Sequence, residues 1–190
     1  GSNTMSRLPL QTLDTAPEAS RPFIERAQTA NGFVPNLIGV LANAPAALET
    51  YFTVGDINAR GSLTLAEREV VQITAASLHG CEFCVSGHSA IALKKAGFDT
   101  AAVVALQQRG ATGNARFDAL AAFTRALVAS RGAVGDGELK AFTDAGFTPA
   151  QVLEVVLGVS LATLCNFANN LARNDINPQL QDFRPGVLQA

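Results

Sequence analysis

The chain is poor in the residues that mark several protein classes. Its 190 residues contain no tryptophan, one tyrosine, one methionine and only three cysteines. Three cysteines in a chain of this length do not form the disulfide framework of a small secreted domain. The N-terminus also shows no basic region followed by an apolar core, as an export signal would. Both absences favour a reducing cytoplasm.

Charge and long apolar runs are also scarce. Charged residues make up 16% of the sequence, the formal net charge is −2 and lysine and arginine form no cluster, so nucleic acid is not an expected partner. No uninterrupted apolar run approaches the roughly 20 residues that a bilayer requires. The nearest case, Val152 to Leu164, contains Ser160 and Thr163. The sequence therefore predicts no membrane association.

The remaining composition is that of one folded domain. A hydrophobic fraction of 48% and a mean hydropathy of +0.20 exclude a disordered chain, and 190 residues suffice for one domain with its own core. The residues Gly1-Ser2-Asn3-Thr4, ahead of Met5, are typical of those left by an expression vector. A single domain is therefore predicted over residues 5–190.

Helices are the predicted elements throughout. No segment shows the sustained alternation of apolar and polar residues that indicates a strand. Two capping boxes, Thr64 with Glu67 and Thr148 with Gln151, each predict a helix start. The tail from Asn174 is predicted to be an irregular packing arm or a partner contact. Helices are predicted over residues 21–30, 34–41, 45–60, 64–78, 81–96, 100–109, 114–131, 137–145 and 148–172.

Two helical segments of the chain are weakly similar in sequence. The segment from Thr64 aligns without gaps on the segment from Thr148, with Cys81 over Cys165 and Cys84 over an alanine. Two interpretations stay open: a duplicated helical unit in which only the first copy kept its dithiol, or a chance similarity between alanine-rich helices.

The main chemical signal is the stretch Cys81-Glu82-Phe83-Cys84, followed by His88. The two thiols and the histidine share one face of a helix, because residues three and four apart are neighbours there. A helix start favours negative charge, and the thiolate is the attacking form of cysteine. His88 lies one turn from Cys84 and two turns from Cys81, so Cys84 is predicted to be the more acidic thiol and the first to be oxidised.

Glu69 lies on the helix that precedes this stretch. If a tight turn at His79-Gly80 folds the two helices side by side, the carboxylate can orient His88 or accept a proton from a thiol. A dithiol that opens and closes beside a base indicates a thiol-dependent enzyme.

The four residues Glu69, Cys81, Cys84 and His88 form a longer pattern: Glu, eleven residues, Cys-x-x-Cys, three residues, His. This pattern resembles the active-site signature of the alkylhydroperoxidase D (AhpD-like) family, within the carboxymuconolactone decarboxylase superfamily. Residues 64–98 resemble the redox core of that family. The Gly32-Phe33-Val34-Pro35-Asn36 segment and the helix at Pro45 resemble the N-terminal part of its peroxidase-related members.

The resemblance implies both a fold and an activity. The fold would be an all-α AhpD-like helical bundle that assembles as a dimer, trimer or hexamer. The activity would be that of a thiol-dependent, peroxiredoxin-type peroxidase, with Cys84 as the peroxidatic thiol, Cys81 as the resolving thiol, and Glu69 and His88 as a proton relay. The substrate would be a hydroperoxide and the reductant an external dithiol or thiol protein, with no cofactor and no metal. Phe83 departs from the best-understood peroxidases, which have a histidine there.

Other interpretations stay open. One is a decarboxylase-like enzyme that acts on a small carboxylated or lactone substrate, although decarboxylase members of the superfamily generally lack the cysteine pair. Another is a non-catalytic thiol redox sensor. Zinc is a weaker alternative, because only three ligands lie together. Cys165 is interpreted as a buried apolar residue and His79 as a polar turn residue. Two interpretations of Asn166, Asn169 and Asn170 stay open: they line the site or an oligomer interface, or, more simply, they are exposed to solvent.

Overall fold

The computed structural model describes residues 6–190, so the predicted vector remnant at residues 1–4 lies outside it. Within this range the chain forms nine α-helices and two short 3-10 helices, with no strand, and the predicted all-α class is confirmed. The α-helices are α1 (Arg21–Asn31), α2 (Asn36–Leu41), α3 (Pro45–Ala59), α4 (Leu65–Leu78), α5 (Glu82–Lys95), α6 (Thr100–Gln107), α7 (Ala115–Ser130), α8 (Asp136–Asp144) and α9 (Pro149–Ala172).

Both predicted capping boxes are present. At the start of α4 the Glu67 backbone N–H donates to the Thr64 hydroxyl at 3.1 Å, and the Glu67 carboxylate accepts from the Thr64 backbone at 3.0 Å. At the start of α9, Thr148 and Gln151 make the same pair of bonds at 3.2 and 3.0 Å. Each box satisfies two backbone N–H groups that the first helical turn leaves without partners, which fixes where these two long helices begin.

The C-terminal tail is more regular than its sequence indicates. Instead of an irregular arm, residues Pro178–Phe183 form a 3-10 helix that packs against α5. The Gln107 side chain donates to the Phe183 carbonyl at 2.9 Å, and Leu180 packs on the apolar cluster that surrounds the cysteines. Contacts with distant parts of the chain hold this segment in a helix. The local sequence alone therefore does not predict it.

The turn at Gly80 folds α5 back along α4. Gly80 has a φ of +67°, a left-handed conformation that glycine adopts without steric cost. The backbone N–H of Cys81 then donates to the carbonyl of Ala76 at 2.9 Å, which closes the end of α4. The next residue, Glu82, already begins α5. This turn therefore places the first turn of α5 beside the last turn of α4.

Helix α9 approaches α4 closely because of a glycine. A Cβ atom at Gly158 would lie 3.1 Å from Cγ1 of Val71, a distance tighter than normal packing. With no side chain at this point, the Gln72 amide reaches the Gly158 carbonyl and donates to it at 2.8 Å. The close contact brings the C-terminal half of α9 against the start of α5, where the cysteines lie.

By length and composition, α9 is the one helix of residues 6–190 that could cross a bilayer, with 24 residues and a mean hydropathy of 1.6 over its most apolar window. This average is high even though Ser160 and Thr163 interrupt the apolar run, because it is taken over a window of residues. In the fold, α9 packs against α2, α3, α4, α5 and α7, as the core helix of a bundle does.

One stripe of α9 is apolar and exposed. Leu153, Val156, Phe167 and Leu171 are 68%, 43%, 56% and 58% exposed, and their spacing places them on one side of the helix. An exposed apolar stripe of this kind, interrupted here by Ser160, is typical of a protein contact surface.

We expect this stripe to mediate self-association, so that light scattering at micromolar concentration gives at least twice the 19.8 kDa mass of the chain. Introducing charge with Phe167→Glu and Leu171→Glu should lower the mass. The matched control is Leu139→Glu on α8, because Leu139 is also exposed, at 39%, but lies off the stripe. A mass near 19.8 kDa for the unaltered chain would contradict the expected oligomer.

Candidate active site

The two cysteines of the Cys-x-x-Cys motif lie at the start of α5. Cys81 is the N-cap residue, and its Sγ accepts a hydrogen bond from the backbone N–H of Cys84 at 3.3 Å. Both thiols are reduced and buried, with only 1% of Cys81 and 4% of Cys84 exposed. Cys81 thus occupies a position where an oxygen-bearing side chain more commonly caps the helix, and a thiolate there faces unpaired N–H groups.

Glu69 and His88 are in direct contact, as their sequence spacing suggested. The Glu69 carboxylate, on α4, lies 2.7 Å from Nδ1 of His88, in the second turn of α5. Burial of His88 opposes its positive charge, but the adjacent carboxylate outweighs burial, so the pKa of His88 is raised above its usual value. The carboxylate fixes the ring orientation, and His88 can hold a proton or release it at the site.

The acidity of the two thiols is the reverse of the prediction. A hydrogen bond from the Cys84 thiol, together with the Cys84 backbone N–H, outweighs burial and lowers the pKa of Cys81. The same hydrogen bond and burial raise the pKa of Cys84 well above the usual value. The expectation that Cys84 is the more acidic thiol was therefore wrong. It counted the turns to His88 and overlooked the N-cap position of Cys81.

An asparagine from α9 completes the surroundings of Cys84. The side-chain N–H of Asn169 donates to Cys84 Sγ at 3.2 Å, and its oxygen accepts from Asn174 at 2.8 Å. Asn169 is 4% exposed and Asn166 is 1% exposed, so solvent exposure was the wrong account of these two, whereas Asn170 is exposed. The sequence held a signal, since Asn169 follows Cys165 by one helical turn and so shares its buried face.

A cavity of about 310 Å³ opens beside Cys84. Its wall is mainly apolar, and His88, Lys94 and Lys95 are among the polar residues that line it. A cavity of this size and character suits a small organic ligand. The apolar lining includes Phe33, Leu37, Phe83, Ile91 and Leu180.

Tyr51 also lines this cavity, and sequence analysis did not identify it. It is the one tyrosine of the chain and lies on α3, far along the sequence from the motif. Burial raises the pKa of Tyr51, so the phenol stays protonated, and its hydroxyl makes no hydrogen bond to any of residues 6–190. It is therefore free to donate a hydrogen bond to a bound molecule.

The two remaining candidates, Cys165 and His79, lie where they contribute to packing and to a helix end. Burial raises the pKa of Cys165 to about 12, so this thiol stays neutral, in keeping with its interpretation as a buried apolar residue. His79 caps the end of α4, with Nδ1 3.2 Å from the Asn166 side-chain oxygen and its ring against Phe167. Among residues 6–190, no group of three or more histidine, cysteine or acidic side chains is placed to hold a metal ion.

Residues 45–126 match the model of the carboxymuconolactone decarboxylase family, and this segment contains Glu69, Cys81, Cys84 and His88. This segment is similar to that family, and the chain as a whole has the AhpD-like fold. Comparison with curated protein sequences gave no match.

Solved structures share the fold over nearly the whole chain. The AhpD core of an uncharacterised peroxidase-related protein from Ralstonia eutropha JMP134 is 23% identical with a TM-score of 0.85, and the match covers 95% of this chain and 97% of that one. A peroxidase-related protein from Silicibacter sp. TM1040 is 19% identical with a TM-score of 0.80, covering 97% and 100%. The debrominase Bmp8 is 18% identical with a TM-score of 0.76, covering 100% of both chains. At these identities the likeness establishes the fold alone.

We expect the ultraviolet absorbance of the thiolate to show a titration midpoint below the ordinary value of 9.0, because the pKa of Cys81 is lowered. One thiolate should therefore be present at pH values where a free thiol is still protonated. Cys84→Ala removes the hydrogen-bond donor and should raise the midpoint, whereas Cys84→Ser keeps a hydroxyl donor and should retain more of the shift. The pKa of Cys165, about 12, is too high for this thiol to contribute to the measured titration. A midpoint that stays low in Cys81→Ser would contradict this assignment.

Proposed function

We propose that the protein is a cytoplasmic thiol-dependent peroxidase that reduces hydroperoxides through a Cys81–Cys84 dithiol and disulfide cycle. The observation that carries this proposal is the placement of Cys84 on an apolar cavity, with Cys81 behind it and the Glu69–His88 pair alongside. The superfamily and the peroxidase-related proteins of the same fold support a link to the alkylhydroperoxidases.

The oxidative step begins with a proton transfer between the two thiols. The thiolate of Cys81 takes the proton of Cys84 along the hydrogen bond that joins them, which leaves a thiolate at the cavity. This thiolate attacks one oxygen of the hydroperoxide and the O–O bond breaks. Cys84 becomes a sulfenic acid, and the other oxygen leaves as an alcohol with a proton from His88.

The second step closes the disulfide. His88, now neutral, takes the proton of Cys81, and the resulting thiolate attacks the sulfenic sulfur of Cys84. The S–S bond forms, and the departing hydroxide takes the proton back from His88 and leaves as water. An external dithiol then reopens the bond by exchange. In sum, one hydroperoxide and one reductant dithiol give an alcohol, water and a reductant disulfide.

The decisive test is peroxide turnover with a dithiol donor. We expect steady consumption of hydroperoxide by the unaltered protein and none by Cys84→Ser. In Cys81→Ser a sulfenic acid should be trapped on Cys84, because no resolving thiol remains. Cys165→Ala is the matched control and should keep its activity, since that buried thiol stays neutral.

Three results would contradict the proposal. Sulfenic acid on Cys81 in the Cys84→Ser variant would reverse the assignment of the two thiols. A disulfide that forms once without turnover would indicate a redox sensor. Stoichiometric zinc in the purified protein would indicate that the thiols are metal ligands.

A second candidate function is the reductive removal of halogen from an aromatic substrate. The aromatic side chains of Phe33, Tyr51 and Phe83 line the cavity at Cys84, and a flat ring fits such a wall. A cysteine-to-alanine variant of the debrominase Bmp8, which shares the fold, was solved with 2,3,4-tribromopyrrole. In this reaction the dithiol is oxidised to the disulfide while the carbon–bromine bond becomes carbon–hydrogen and bromide leaves. Bromide release without peroxide turnover would favour this candidate.

We expect Glu69→Gln and His88→Ala each to slow the oxidation of Cys84 by about tenfold to a thousandfold, the range of a general acid–base contribution. Since both residues act on one proton path, the double variant should lose far less than the product of the two single losses. Stopped-flow measurement of disulfide formation gives these rates, with circular dichroism to check the fold. Fully multiplicative losses would show that the two residues act independently.

A further inference from the structure

A second cavity, also of about 310 Å³, opens at the other cysteine. Cys81 lines it, together with Asn169, Asn170, Arg173 and Asn174 from the end of α9 and the residues after it. Cys84 does not line this crevice, and Cys81 does not line the cavity described above. The two sulfur-bearing residues of the motif therefore face different openings of the molecule.

Phe83, the residue before Cys84, is the one residue that lines both openings. It is 7% exposed and packs in the same apolar cluster as the two cysteines. Phe83 thus borders both the cavity at Cys84 and the crevice at Cys81. A molecule in one opening does not need to leave before another enters the second.

The two openings differ in chemistry. The cavity at Cys84 is lined mainly by apolar and aromatic residues, with Lys94 and Lys95 as its charged members. The crevice is lined by three asparagines, Arg173 and Glu82, beside Phe83 and Ile176. Asn170 and Arg173 are exposed at this site. The amide oxygen of Asn170 stays available, because that side chain uses its N–H to donate to the His79 carbonyl at 2.8 Å. Such a lining suits a polar, peptide-like molecule.

Thiol–disulfide exchange requires an attack on one sulfur while the other sulfur leaves. If the attack comes through the crevice, Cys81 is attacked and Cys84 leaves as a thiolate. The hydrogen bond from Asn169 to Cys84 Sγ, at 3.2 Å, stabilises this leaving group. The proton-sharing contact with Cys81, which holds Cys84 protonated in the resting dithiol, is absent while Cys81 is bonded to the reductant. The Cys84 thiolate therefore forms more easily at this stage, when Cys84 leaves the disulfide, than it does in the resting dithiol.

We propose that the crevice beside Cys81 is the reductant site, and that it takes a polar thiol carried on a peptide-like molecule. The reductant thiolate attacks Cys81, which forms a mixed disulfide and releases Cys84. A second reductant thiol attacks the reductant sulfur of that mixed disulfide and releases Cys81 as a thiolate at its N-cap position. One protein disulfide and two reductant thiols give the protein dithiol and one reductant disulfide. This proposal rests on the dithiol cycle of the proposed function.

The test separates the two half-reactions with two variants that each fill one opening. Asn170→Trp fills the crevice, and Ile91→Trp fills the cavity at Cys84. The protein is first oxidised with diamide, which forms disulfides without any peroxide, and its reduction by glutathione is then followed by stopped flow. The oxidative rate is measured separately with hydroperoxide and the reduced protein.

We expect Asn170→Trp to slow reduction by glutathione by about tenfold or more and to leave oxidation within about twofold, since only access to Cys81 changes. Ile91→Trp should show the opposite pattern. Asn170→Ala keeps the crevice open but lacks the amide, so it should be reduced faster than Asn170→Trp and separates the loss of the amide from the blocking of the crevice. Circular dichroism checks the fold of each variant.

Two outcomes would overturn the reductant site: reduction that Asn170→Trp does not slow, or reduction that Ile91→Trp slows more. If hydroperoxide fails to oxidise the protein while diamide and glutathione give the expected pattern, only the peroxidase function is overturned. If diamide forms no bond between Cys81 and Cys84, both proposals fail together.

Discussion

The antiparallel contact between α4 and α5 is the constraint on which the site depends. The left-handed turn at Gly80 allows it, and the hydrogen bond from Cys81 to the Ala76 carbonyl fixes it. With the turn in place, the N-cap position falls on Cys81, and a carboxylate in α4 lies opposite the imidazole of α5. Without the turn, the dithiol and its proton carriers would be separate features of two helices.

The more acidic thiol, Cys81, is not the one that lines the apolar cavity, which is Cys84. The Cys84 thiol and the helix start lower the pKa of Cys81 and so favour negative charge there, whereas the apolar cavity opens at Cys84. An apolar cavity is a poor environment for a permanent charge, because a buried thiolate there pays a large desolvation cost. Keeping the charge one helical turn away avoids that cost until a proton moves between the sulfurs. In the proposed cycle, the shared hydrogen bond thus lets a buried thiol react without being charged at rest.

Local patterns in the sequence predicted most of the helices and the contact between Glu69 and His88. The capping boxes fixed two helix starts, and the spacing of Glu69, Cys81, Cys84 and His88 brought them together. Features that depend on contacts far apart in the chain were not predictable. Asn169 reaches Cys84 across 85 residues, and Tyr51 reaches the cavity from α3. The order of thiol acidity was wrong for a different reason, since a one-residue difference in where α5 begins makes Cys81 its N-cap.

In the proposed cycle, Phe83 lies where it keeps the oxidant and the reductant in separate openings. Hydroperoxides and thiols react with each other. A single shared cavity would hold both reagents together and allow this direct reaction, which consumes both without using the protein dithiol. It would also let an excess of either one block the other. Because Phe83 borders both openings and neither cysteine lines both, the proposed cycle passes electrons from reductant to oxidant through the protein disulfide. The residue that replaces a proton carrier thus gives the protein a separation of oxidant from reductant.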